Sequence, residues 1–414
     1  MSRVAAKPCT TGDFACATGP LKRRLRSDKS EAADPLVEKI EAMDRLLQSW
    51  EQSGYDFCDK QFQNFVVYAR GVHDRVRSGH IARAEAITKY LDQVSFGRDI
   101  TGGDLVEKMS QLVAYLESAL EESRLAGAVQ TALGKSYGRL LDYDELPEPW
   151  QENPYVRHGY RFIPHKHGCV RSILSWHNET LNIWSHLLGI ALFLYLSFVD
   201  LPSTTAWQVG TWMDRVPMVI FMVAAMKCLF CSILWHSFNA ITHLKTKRRM
   251  ACIDYTGISV CICASILTTE YSVLNCHPVA QLFYVTLTLA CGAFGIFMNW
   301  HPMFDKTGAR ALRALFFSCF AIFGGVAGLH ACIHRGVAET FAYYVPVIKS
   351  LLCYGTGILF YATLFPEKFF DGFDLCGASH QIWHAFVVGG VYFHYKAMVE
   401  IFGHAVNEAC HLPH

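Results

Sequence analysis

Residues 216–240 read VPMVIFMVAAMKCLFCSILWHSFNA, twenty-five positions with one formally charged side chain, Lys227. At about 1.5 Å of rise per residue, a helix of this length crosses roughly 30 Å of hydrocarbon. Near its end come Ser232 and His236, four positions apart and so on one helix face. The stretch predicts a membrane helix, and its polar end predicts that chemistry gathers there.

Six more apolar segments accompany it, at 181–199, 252–273, 278–300, 311–330, 342–365 and 381–403. Helices that are apolar all round can also form the core of a large soluble protein. Seven in succession, joined by short polar links, point to the bilayer instead. No run of this kind precedes residue 180, and the first twenty residues lack the apolar core of a cleavable signal peptide. Residues 1–33 end in the basic cluster LKRRLRSDK and read as a disordered tail suited to an anionic membrane surface. Residues 34–145 show amphipathic helical period, with Leu36, Ile40, Met43, Leu46 and Leu47 at three- and four-residue steps. A linker and juxtamembrane segment (146–180), the seven-span domain (181–405) and a tail (406–414) follow. The predicted fold is all-α: a seven-transmembrane helix bundle preceded by a soluble helical domain.

Basic residues set the expected orientation. Arg157, Arg161, Lys166 and Arg171 precede the first span; Lys245, Lys247, Arg248 and Arg249 lie between spans 2 and 3, and Lys306, Arg310 and Arg313 between spans 4 and 5. The alternate links hold only Arg215 and Arg335. The N-terminal domain is therefore expected in the cytosol and the C-terminus outside, in a multi-pass protein of the plasma membrane or endoplasmic reticulum. A net charge of +1 offers no case for a nucleic-acid partner. Half of the sixteen cysteines lie in the apolar runs and read as small hydrophobes.

Ionisable residues inside spans are functional candidates by default. His236 closes span 2, Asp254 opens span 3, and His380 and His384, one turn apart, open span 7. All four fall at one depth near the inner leaflet. Neutral imidazoles bind zinc, and a catalytic site keeps three protein ligands with a fourth position open. A lone histidine at a span end is usually an interface residue, so the metal reading rests on the agreement in depth. Asp254 would orient a water or act as base, with Ser232 in support. Lys227, about nine residues before His236, is expected on the opposite face, reaching a polar group inside the bundle. His177, Glu179 and His186 read as helix-start and packing residues. A rival histidine pair, His330 and His334 in LHACIH, stands at the outer end of span 5; with His404, His411 and His414 it suggests an external metal site. One disulfide among Cys276, Cys332 and Cys410 would also fall on that side.

Four motifs in order carry a resemblance: HNETLNIWSHLLG (177–189), SILWH (232–236), DYTGI (254–258) and SHQIWH (379–384). The chain resembles the progestin and adiponectin receptor family, which shares its seven-span pattern with hemolysin III proteins, over about residues 155–405. The long N-terminal extension resembles that of fungal representatives. The resemblance implies zinc on His236, His380 and His384, with Asp254 near the metal's water and Ser232 beside it. It also implies a ceramidase-like amide hydrolysis for some members, with roles in lipid or zinc homeostasis. The leading expectation is a zinc-dependent hydrolase acting on a membrane lipid such as ceramide. The alternatives are a receptor with structural zinc and an external protein or steroid ligand, or a zinc transporter, for which spans 2, 3 and 7 offer few polar residues.

Overall fold

The computed structural model describes residues 124–304 and 309–407. The expected basic tail and most of the expected soluble domain (residues 1–123), together with His411, His414 and Cys410, lie outside the described residues. From Val129 onward the chain forms one compact unit. Among the described residues it is helical, with no strand and two isolated bridges, Leu141 with Tyr160 and Ile163 with Ile241.

Seven long helical segments build the bundle: α1 (Thr180–Ser203), α2 (Trp212–Phe238), α3 (Leu244–Val273), α4 (Pro278–Asn299), α5 (Arg310–Arg335), α6 (Val337–Thr363) and α7 (Ser379–Asn407). The first six are long and apolar enough to cross a membrane. The seventh, at 29 residues, is long enough, but its four histidines with Lys396 and Glu400 dilute its apolar character. Burial compensates, since Tyr395, Met398 and Ile401 of α7 are inaccessible to solvent. A polar helix is tolerated where the bundle rather than lipid surrounds it. α5 is two helices, Arg310–Phe323 and Gly325–Arg335, interrupted at Gly324.

α2 is the central helix. Of its most apolar stretch 61% is buried, against 22% for each of α4, α5 and α6. Its remaining face carries Val216, Val219, Ile220, Val223 and Phe230, exposed at helical spacing as a lipid-facing surface requires. Lys227 lies on this exposed surface, so it does not reach into the bundle as expected. Its long stem can run along the apolar face toward polar surroundings instead.

Small residues set the closest approaches. A Cβ added at Gly257 of α3 would lie 3.2 Å from the Cys228 Cα of α2, and one at Gly390 of α7 would lie 2.6 Å from the Tyr354 ring of α6. Cys228 and Cys231 are buried free thiols of the core.

α3 begins earlier than its apolar run. The His243 side chain accepts from Thr246 N–H and starts the helix at Leu244, so the basic cluster expected as a loop is helical. Lys247, in the second turn, is buried; it pairs with Glu152 and lies 4.6 Å from the centre of the Trp235 ring. The juxtamembrane segment folds against this end of the bundle. Trp150 donates from Nε1 to the Ile241 carbonyl at 3.0 Å and packs edge-on against Phe162.

Candidate metal centre

Three helices deliver their ends to one place, and polar contacts fix each. At the C-terminus of α2, the buried Arg161 guanidinium donates to the His236 carbonyl at 2.6 Å and to Ser172 Oγ at 2.5 Å. A cation at a helix C-terminus satisfies carbonyls that have no helical partner. Burial pulls Arg161 down to about 10, which leaves it cationic at neutral pH.

At the N-terminus of α7 a buried carboxylate does the complementary work. Glu367 accepts from the Ser379 N–H at 2.7 Å, from Ser379 Oγ, and from Asn153 Nδ2 at 3.0 Å. Gln381 accepts from Gly377 N–H at 2.6 Å and donates to the Asn178 carbonyl at 3.0 Å. The first turn of α7, bearing His380 and His384, is thereby tied to the start of α1.

The start of α1 is the HNET segment. His177 is buried, accepts from the Glu179 N–H at 3.1 Å through Nδ1, and donates to the Ser172 carbonyl at 2.9 Å through Nε2. Burial pushes this imidazole down to about 4, and its hydrogen bonds suit the neutral ring. The turn it orders presents Glu179 to α2. Glu179 Oε2 lies 2.7 Å from His236 Nδ1 and accepts from Asn182 Nδ2 at 2.5 Å, while Oε1 accepts from Asn239 Nδ2 at 2.8 Å.

The consequence is a triad of converging nitrogens. His236, His380 and His384 place one donor atom each within 4.8 Å of the others, and His236 and His384 are buried. Glu179, which as a carboxylate can only accept, leaves the proton of His236 on Nδ1 and the lone pair on Nε2. The Asn182 carbonyl accepts from His384 Nδ1 at 3.1 Å, with the same effect on that ring. His236 Nε2 and His380 Nε2 are 3.3 Å apart. Two nitrogens held about 2.0–2.1 Å from one ion at a tetrahedral angle stand roughly 3.3–3.4 Å apart, so the pair already has the required bite. His186 stacks on His384 at 4.0 Å between ring centres and restricts its rotation.

Of the residues expected at the site, the three histidines come together as donors. Asp254 is buried on α3, within electrostatic reach of His236 but outside the donor group. Ser232 is buried one turn before His236 on α2. Glu179, which the sequence presents as a helix-start residue, is hydrogen-bonded to the back of a donor histidine. The available signal was a carboxylate at the depth of His236, one helix away.

The family model described as haemolysin-III related matches residues 174–395, a stretch that runs from just before the HNET segment past His380 and His384 of α7. The chain belongs to this family. It is 38% identical over 296 residues to an uncharacterized protein of Schizosaccharomyces pombe, covering 71% of this chain and 66% of that one. It is 34% identical over 332 residues to the ADIPOR-like receptor IZH3 of Saccharomyces cerevisiae, covering 65% and 61%. To the human progestin and adipoQ receptor family member 3 it is 30% identical over 278 residues, covering 66% and 89%. The chain thus spans just under two thirds of the length of the two fungal relatives. The apolar helices and the family together make it a multi-pass membrane protein.

Proposed function

We propose that this family member is a zinc-dependent hydrolase of a membrane-lipid amide, with ceramide the leading substrate. The carrying observation is three converging imidazoles, two of them fixed with Nε2 lone pairs available, and a buried carboxylate standing apart from them. A three-donor set with a neighbouring acid matches the open arrangement of catalytic rather than structural zinc. Zinc bound there would polarise a carbonyl and lower the pKa of water to about 7.

The remaining work falls to the chain's own groups. Glu179 and the Asn182 carbonyl hold the tautomers of His236 and His384, and Glu367 and Gln381 hold the α7 backbone. Asp254 takes the proton of the attacking water as the oxygen bonds to the amide carbon. It returns that proton to the nitrogen as the C–N bond breaks, giving a fatty acid and a free amine. Ser232 supports that proton transfer by hydrogen bonding.

The orientation belongs to the same reading. Cys276 is disulfide-bonded at the end of the bundle opposite the triad, while the other described cysteines are free thiols. Disulfides persist in oxidising compartments. Together with the basic residues at the triad end, this supports a cytosolic triad and N-terminal domain, in the plasma membrane or endoplasmic reticulum.

A receptor reading, with zinc structural, is favoured by the names of the yeast and human relatives. Fatty-acid release from ceramide by the purified full-length chain in lipid nanodiscs separates the two. Wild-type protein is expected to release it, and His384→Ala and Asp254→Asn to lose the activity. Equal release by wild type and His384→Ala would sink the hydrolase, and zinc retention without turnover would favour the receptor.

A further inference from the structure

A second set of imidazoles gathers at the end of the bundle opposite the triad. His330 and His334 stand one turn apart on the second half of α5, with ring centres 5.0 Å and Nε2 atoms 3.2 Å apart. His277, from the turn before α4, stacks on His334 at 4.2 Å, and Tyr284 of α4 lies 5.5 Å from the His330 ring. We propose that His330 and His334 form a second metal site. It binds a borderline divalent transition ion such as Zn²⁺ through the two Nε2 atoms, with water completing the coordination.

The geometry carries the argument. Residues at i and i+4 share a helix face, but that alone does not aim two rings at one point. Here the two rings bring their Nε2 atoms together, at a separation within 0.1 Å of the 3.3 Å between His236 and His380. It is close to the spacing of two ligands held at about 2.0–2.1 Å in a tetrahedral site. The stacked His277 ring limits rotation of His334, and the disulfide at the adjacent Cys276 anchors the turn that supplies it.

The chemistry sets the class of ion. Imidazole donors suit zinc, copper and nickel, whereas magnesium and calcium require oxygen ligands. The neighbouring charge is already engaged: Arg335 donates to Glu339 at 2.9 Å and to the Val273 carbonyl at 2.7 Å. His334 is exposed and His330 half-buried, so an ion arrives from water without entering the bundle. With two protein ligands in place of three, this site binds more weakly than the triad and exchanges with external metal.

The test counts zinc on the full-length chain in nanodiscs, stripped with a chelator and re-equilibrated with Zn²⁺. His330→Ala and His334→Ala are each expected to hold one zinc fewer per chain than wild type. The difference is independent of the triad: if the triad holds no metal, both counts fall together and the difference of one remains. His334→Gln, a milder change at an exposed position, guards against loss through misfolding and is expected to lose the same ion. Added zinc should raise the thermal midpoint of wild type more than that of any of the three variants. Equal zinc counts in wild type and all three variants would overturn the proposal and reduce the pair to an imidazole–imidazole hydrogen bond.

Discussion

The two ends of the bundle carry nearly the same local device. His380 and His384 on α7 have ring centres 4.9 Å apart, and His330 and His334 on α5 are 5.0 Å apart. What differs lies around each pair. At the triad end a third imidazole arrives from α2, and Glu179 accepts from its far nitrogen at 2.7 Å. At the other end the neighbouring imidazole of His277 stacks face-on against His334, and the pair opens to water. Helical spacing puts two imidazoles side by side at either end; at the triad the fold adds a third donor, a carboxylate behind it and burial. The comparison predicts a tight, organised centre at one end and an exchangeable site at the other.

The sharpest way to break that contrast is to remove a triad donor. His236→Ala deletes the residue that joins α2 to the α7 pair, leaving two donors and a Glu179 held by Asn182 and Asn239. Ceramide turnover is expected to fall by more than about 100-fold, beyond the 10–100-fold typical of outer contacts. Metal analysis should show that the zinc assigned to the triad is lost while the ion at the opposite end is retained. A variant that keeps both its turnover and its full metal count would remove the distinction between the ends.

The carboxylate is the next lever. Glu179→Gln replaces an ionised acceptor by an amide, so the His236 tautomer is no longer fixed. Zinc affinity at the triad, measured by competition with a chelator, is expected to drop roughly 10-fold, and Glu179→Ala to drop nearer 100-fold. Neither change should alter the metal held by His330 and His334. An unchanged affinity in Glu179→Ala would show that the hydrogen bond is packing only.

These variants also mark where the sequence was legible. Spacing and apolar length read correctly for the helices and for the shared face of His380 and His384, because helical period is a local property; that α2 and α7 meet is a property of the fold. Glu179 escaped because its partner, His236, is 57 positions away and the HNET turn that aims it is irregular. Lys247 reads as loop charge in the sequence for a similar reason. The cap at His243 and the pairing with Glu152, 95 positions distant, exist only once the juxtamembrane segment has folded. Lys227 failed in the opposite sense: a face can be computed from the period, but which face meets lipid depends on the neighbouring helices.

A packing pair tests the frame that holds both ends. At Gly257 even an alanine Cβ would meet the Cys228 backbone at 3.2 Å, whereas at Gly325 nothing lies within 4 Å. Gly257→Leu is expected to destabilise the bundle by about 1–3 kcal/mol, as overpacking does. Gly325→Ala should fall within about 0.5 kcal/mol of wild type. Thermal midpoints in one detergent decide it. Equal midpoints would mean that α2 and α3 can separate at no cost, and the depth agreement between His236 and Asp254 would lose its support.

The smallest expected effect comes from pH at the turn behind the triad. In the fold His177 is buried, and its pKa lies near 4 against 6.5 for the free side chain. Between these values the unfolded chain binds a proton at this position that the folded chain does not. Stability therefore falls as pH drops from about 6.5 toward 4 and is level with respect to this residue above and below that window. His177→Gln removes this contribution. Its stability curve should be flatter than that of wild type across the window. The same substitution loosens the contact that orders the Glu179 N–H, so triad zinc affinity should fall slightly while the opposite site is unaffected. Parallel curves for variant and wild type would place the pH response in other histidines.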